Sequence, residues 1–227
     1  MKRTVRAGKL QLEYTLVRAR RNDVRIQALE GGLTRVYAPR HARLSDVDAL
    51  VRKHADRIIR MKEALKPPAI RDGDSLTLAG TPRVLRILQG APRVEIAPDA
   101  VHVTTADPAD EDQVRALLMP ALQDFALRTI RARIDVFLPI IGGAPGKIAV
   151  RAQRTRWGSC SSKGNLSFNW KLILAPLACL DYVVVHELCH LAEFNHSPAF
   201  WKRVAHFMPD YTIWKEYLKR NGSGLAI

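Results

Sequence analysis

Cysteine is scarce in this chain of 227 residues: there are three, Cys160, Cys179 and Cys189, an odd number with no C-x-x-C pair. That excludes a disulfide framework and points to a reducing compartment. Long apolar runs are missing too. The longest, LILAP (172–176) and YVVV (182–185), fall far short of the roughly 18 residues a membrane-crossing helix needs. The N-terminus, MKRTVRAGKLQLEYTL, has charge but no apolar stretch behind it, which is not the pattern of a secretory signal. No internal repeat and no low-complexity tract is visible. The expectation is a cytoplasmic protein with no membrane attachment.

Acidic residues are the other shortage, with 22 Asp and Glu against 36 Lys and Arg, a net charge of +14. Much of the excess lies in the first third, in VRARRNDVR and RKHADRIIRMKEALK. A basic surface attracts polyanions by counterion release, so nucleic acid is a partner to test through this N-terminal region. No aromatic stacking motif is interleaved with the charge, which weakens that reading. Apolar residues make up 47% and charged residues 26%, an ordinary globular balance. The length suits one core, or one core with a small appended unit.

The first part alternates as strands do, in LQLEYTLV, DVRIQAL and, after the turn EGG, LTRVYAP. The period then changes. Val47, Leu50, Val51, Ile58 and Ile59 recur at helical spacing from an N-cap at Ser45 to about Leu65. KPPAIRDGD (66–74) is the most linker-like piece. Short strand signals follow in SLTLAG, RVLRIL, RVEIAP and AVHVTT. From Asp110 the sequence reads as helix, with Pro120 a kink or a break between two helices.

Next comes a hairpin turning at SSKGN, whose second strand LSFNWKL places Leu166, Phe168, Trp170 and Leu172 on one face. Pro176 opens a helix carrying DYVVVHELCHLAEF. Ser197 and Pro198 begin another, and YTIWKEYLKRNG ends at Gly222 as a C-cap. The expected division is a basic, strand-rich region with one helix over 1–108 and a catalytic domain over 109–227, an α+β fold.

HELCHLAEFNH (186–196) carries the chemistry. His186 and His190 are one helical turn apart, about 40° around the axis and about 6 Å along it, so both imidazoles can converge on one ion. Glu187 lies on the adjoining stripe, placed to reach a metal-activated water rather than the metal. Cys189 falls off that stripe, and core packing suits it better. For a third ligand, Glu193 returns to nearly the same face but fits better as a carboxylate orienting a histidine. His196 would lie about 15 Å from His186 along an unbroken helix, too far to share an ion. It is favoured if the helix stops first, with Asn195 as a left-handed C-cap before the Ser197-Pro198 start. Glu216 and His206 stay open as more distant donors. Three protein ligands leave a position for water, the arrangement of a catalytic zinc.

RTRWGSCSSKGNLSFNWKLILAP, then DYVVVHELCHLAEFNHSPAFW, then PDY, resembles the YgjP-like metallopeptidase family and, more distantly, SprT-like zinc proteases. The likeness spans nearly the whole chain and is strongest from Arg154 to Tyr211. It implies a zincin-type α+β core with Zn2+ on His186, His190 and His196 and catalysis by Glu187. The metzincins share the histidine spacing but carry glycine where this chain has Glu193, which argues against that group.

The leading expectation is a zinc-dependent hydrolase acting on peptide or protein. The alternatives are a metal-dependent nucleotide (UTP) pyrophosphatase, an activity the resemblance brings with it, and a nucleic-acid-associated protease of SprT type. Within the hairpin, Arg156 is a candidate for binding a phosphate or carboxylate. Trp157, Ser159 and Asn169 stand between cleft and packing roles. Tyr211 is weighed as an oxyanion donor against core packing.

Overall fold

The computed structural model describes residues 1–8, 10–29, 32–64, 68–153 and 155–227. By packing, these divide into two units, Met1–Pro68 and Ala69–Ile227. The division falls inside the KPPAIRDGD segment. Its Lys66 and Pro67 lie outside the described residues, as do Glu30 and Gly31 of the EGG turn, the helix end at Leu65, and Arg154 at the start of the signature. The boundary expected near residue 108 falls within the second unit, where the strands before it and the helix after it share one core.

The first unit is a four-stranded sheet with helices on one face. Its strands are β1 (Lys2–Ala7), β2 (Leu10–Ala19), β3 (Arg25–Ala28) and β4 (Thr34–Pro39), in the order β1-β2-β4-β3. The central pair is parallel and the outer pairs antiparallel. Alternation puts Val5, Leu12, Tyr14, Leu16, Val36 and Ala38 on the inner face. They pack on Val47, Val51, Ala55 and Ile58 of α1 (Leu44–Lys53) and α2 (Ala55–Glu63).

The single helix expected from Ser45 is therefore two pieces, beginning after Arg43 and broken at His54, where φ is −104° and ψ is 19°. Ser45 lies in the first turn, and its hydroxyl contacts the Asp46 carboxylate rather than capping the helix. Arg3 on β1 and the Tyr14 hydroxyl on β2 both bond Asp48 of α1, each at a shortest distance of 2.6 Å.

The second unit begins with a sheet of the same plan. Strands β5 (Ser75–Leu78), β6 (Thr81–Gln89), β7 (Arg93–Ile96) and β8 (Ala100–Thr105) run in the order β5-β6-β8-β7, again with a parallel central pair between antiparallel ones. Buried positions repeat at one constant offset: Thr34, Val36, Ala38, Val47, Val51 and Ala55 correspond to Val101, Val103, Thr105, Val114, Leu118 and Leu122. The strand–helix motif occurs twice, although no repeat is visible in the sequence.

Helix α3 (Glu111–Ile141) is continuous through Pro120. The expected break is absent because Val114, Leu118, Leu122, Ala126, Ile130 and Ile134 form an unbroken buried stripe. Burying each large aliphatic there contributes about 1.5–3 kcal/mol, and several together outweigh the roughly 3 kcal/mol that an internal proline costs.

Strands β9 (Ile148–Arg151), β10 (Gly158–Cys160) and β11 (Leu166–Asn169) form a third sheet in the order β10-β11-β9, with β10 at an edge. The second strand of the expected hairpin stops at Asn169, and Trp170–Leu174 is a 3-10 helix. Asn169 explains the stop: its Oδ1 accepts from the Lys171 N–H at 3.2 Å, capping the new turn. Its amide donates to the carbonyls of Gln153 and Arg156, at 2.7 and 3.3 Å.

Helices α4 (Leu177–Cys189), α5 (Pro198–Phe207) and α6 (Tyr211–Asn221) complete the unit. Gly222 is the C-cap of α6, as expected, in right-handed conformation with φ −60°. It is glycine for a steric reason: a Cβ there would stand 2.4 Å from Cζ2 of Trp157. With six α-helices and three sheets among the described residues, the fold is α+β.

Candidate metal centre

Helix α4 is held by its buried residues Cys179, Leu180, Val183, Val184, Leu188 and Cys189, so Cys189 is core, as expected. The turn from His186 to His190 brings their Nε2 atoms to 3.2 Å. The helix then ends at once, with His190 as its C-cap rather than Asn195. The N–H groups of Leu191 and Ala192 bond back three residues, to Leu188 and Cys189, which tightens the last turn.

Asn195 works differently from expectation. Among the described residues other than glycine, only Ala79 has positive φ, so Asn195 is not left-handed. Its Oδ1 instead accepts from the Ser197 N–H at 3.1 Å, and the Ser197 hydroxyl caps α5 by accepting from Phe200. This double turn swings His196 back until its Nε2 lies 3.1 Å from that of His186.

These separations fit one shared cation. Two imidazole nitrogens, each about 2.0–2.1 Å from a tetrahedral zinc, stand about 3.3 Å apart. The His186 Nε2 faces two other ring nitrogens with one hydrogen or one lone pair, so it cannot make two well-directed hydrogen bonds, which favours a shared cation. The His190 Nδ1 lies 2.8 Å from the Glu193 carbonyl, which can only accept. The proton is therefore on Nδ1, and Nε2 presents its lone pair to the cluster. Glu193 thus orients His190 through its main chain rather than its carboxylate. Neither His206 nor Glu216 joins the group formed by His186, His190 and His196.

Electrostatics agrees with a donor role. Burial, then the neighbouring histidines, push His186 down to about 3, and burial also lowers His196. Glu187 is 3% exposed and burial pushes it up to about 8. Its Oε2 is buried without a hydrogen-bond partner. Its other oxygen presses on strand β10, where a Cβ on Gly158 would fall 2.4 Å from Oε1. Gly158 is the position that sequence reasoning missed. Its signal was the glycine in RWGSC, read there only as part of a hairpin.

The group opens on a cleft of about 520 Å3 lined also by Arg156, Trp157, Ser159, Cys160 and Tyr182. Aromatic rings brace the histidines: Phe200 stacks on His190 at 4.3 Å and Trp201 on His196 at 5.6 Å. Tyr211 stacks between Trp201 and Tyr182 and is not among the cleft-lining residues, which favours its packing role.

Three imidazoles about one point form a group that could hold a metal ion, with a carboxyl group on the residue that follows His186. Residues 22–221 match the family model described as YgjP-like, metallopeptidase domain, and the chain belongs to that family. It is therefore a metal-dependent hydrolase of the metallopeptidase class. No curated protein matches the chain. Among solved structures it is similar to the metallopeptidase zymogen of Pyrococcus abyssi abylysin, at 23% identity, over 42% of this chain and 94% of that one, with a TM-score of 0.37. Among the described residues no helix is long and apolar enough to cross a membrane.

Proposed function

We propose that the chain is a zinc-dependent peptidase, with His186, His190 and His196 holding the metal and Glu187 as the general base. The observation that carries this reading is the convergence of three Nε2 atoms, with His186 at 3.2 Å from His190 and 3.1 Å from His196. A nitrogen-only set of three imidazoles suits zinc, which supplies Lewis-acid polarisation of a carbonyl and brings a water's pKa to near 7.

Glu187 takes a proton from the attacking water and returns it to the departing amine. Burial lifts its pKa to about 8, and a cation beside it draws the value back toward neutrality. A group poised there can both accept and donate. Strand β10, at the edge of its sheet and lining the cleft, offers unpaired main-chain groups on which an extended peptide can lie.

The test is Glu187→Gln, assayed beside the unmodified protein on casein and on nucleoside triphosphates, with zinc measured by atomic emission. The expected variant keeps about one zinc per chain and loses casein hydrolysis by at least 100-fold. Unchanged turnover would sink the mechanism.

A further inference from the structure

The cleft carries an imbalance of charge that holding a metal does not require. Arg156, Lys215 and Lys219 line it, and Glu187 is the one acidic residue among the described residues that does. Lys219 has a counter-charge, Glu216, at 3.4 Å. Arg156 and Lys215 have no ion-pair partner among the described residues.

The Lys215 ammonium is held in place, and Arg156 is fixed at its backbone. The Lys215 ammonium sits 4.1 Å above the Trp201 ring, and that ring stacks on His196. The charge is thus fixed one ring away from the candidate ligand. Arg156 is anchored at its carbonyl by the Asn169 amide, on the loop leading into β10. Cations gathered beside a metal site repel one another and the metal, and an anion between them removes that cost.

We propose, resting on the peptidase reading, that the cleft selects peptides bearing a carboxylate next to the bond to be cleaved, with Lys215 and Arg156 as its anchors. The carboxylate belongs either to an Asp or Glu side chain or to the free C-terminus of the peptide. Guanidinium and ammonium both serve such a group, the first through a planar fork and the second as a point charge.

Binding tests this independently of turnover. Zinc-loaded Glu187→Gln protein is titrated with three fluorescent peptides: one acidic and capped at both ends, its Asn/Gln counterpart, and that counterpart with a free C-terminal carboxylate. The acidic peptide, the free-carboxylate peptide, or both are expected to bind about tenfold tighter than the capped neutral one, and less so as salt rises. Which of the two gains identifies the source of the carboxylate.

Lys215→Gln and Arg156→Gln, each added to Glu187→Gln, should each shrink that ratio about threefold to fivefold. Both side chains are exposed, so the fold does not depend on them. Equal affinity for all three peptides, or equal weakening of all three in the variants, overturns the proposal. A charge preference in binding with no cleavage of any peptide by the unmodified protein strikes the proposed reaction instead and leaves the anion site standing.

Discussion

Gly158→Ala tests a contact against the proposed base. The added methyl group would stand 2.4 Å from Oε1 of Glu187, 2.7 Å from Cγ and 2.8 Å from Cδ, where real Cβ contacts essentially never fall below 3.0 Å. Relief of the closest contact alone needs at least 0.6 Å, and an unstrained contact nearer 1 Å, by ordinary van der Waals separations. Gly158 does not have positive φ, so alanine imposes no backbone strain and the effect is steric. The three histidines proposed as ligands lie elsewhere, so zinc content is expected to stay unchanged.

A misplacement of about 1 Å costs on the order of 100-fold in rate, equivalent to about 2.7 kcal/mol of transition-state stabilisation. The assay is kcat/KM on casein-derived peptide, with zinc content and a denaturation curve on the same sample. A folded, zinc-loaded Gly158→Ala protein within threefold of the unmodified activity would refute the steric role of this glycine and weaken that of Glu187.

His196→Ala should lose most of its zinc, while Glu193→Gln keeps it within about twofold, since the carbonyl and not the carboxylate holds His190; atomic emission on dialysed protein decides this. Gly222→Ala tests two opposed effects. Helix propensity alone favours alanine by up to about 1 kcal/mol, but overpacking against Trp157 costs about 1–3 kcal/mol. The urea midpoint should therefore fall, and a rise would mean that Trp157 turns aside freely.

In the first unit, the hydrogen bond from Arg3 holds Asp48 below its ordinary range, against opposing desolvation. A depressed carboxylate adds stability that is complete above the unfolded pKa of about 3.9 and is lost as pH falls through the folded value. The stability gap between the unmodified protein and Asp48→Asn should thus narrow between pH 6 and pH 3; a gap unchanged in urea titrations would contradict the linkage.

Local chemistry made much of the site legible. The four-residue spacing of His186 and His190, the Ser197-Pro198 start and the apolar face of α4 are all short-range signals, and each holds in the structure. What escaped the sequence depends on distant partners. Gly158 and Gly222 look like turn residues until Glu187 and Trp157 are seen against them. Pro120 reads as a break because its cost is local, while the burial that offsets it is spread along α3. Periodicity gave the strands but not the repetition of their order, since that pattern resides in which positions are buried rather than in residue identity.

The partner of His190 is a peptide carbonyl, and this changes what evolution can do to the site. No substitution at position 193 removes a main-chain oxygen, so the side chain there is free to drift, and comparison of residue identities will not reveal the role of the position. An insertion or deletion between His190 and Ser197 is different. It would displace the carbonyl and the returning His196 together. At position 193 the centre would depend on the length of this loop rather than on the side chain, in contrast to Asn195 and His196, whose side chains make the contacts.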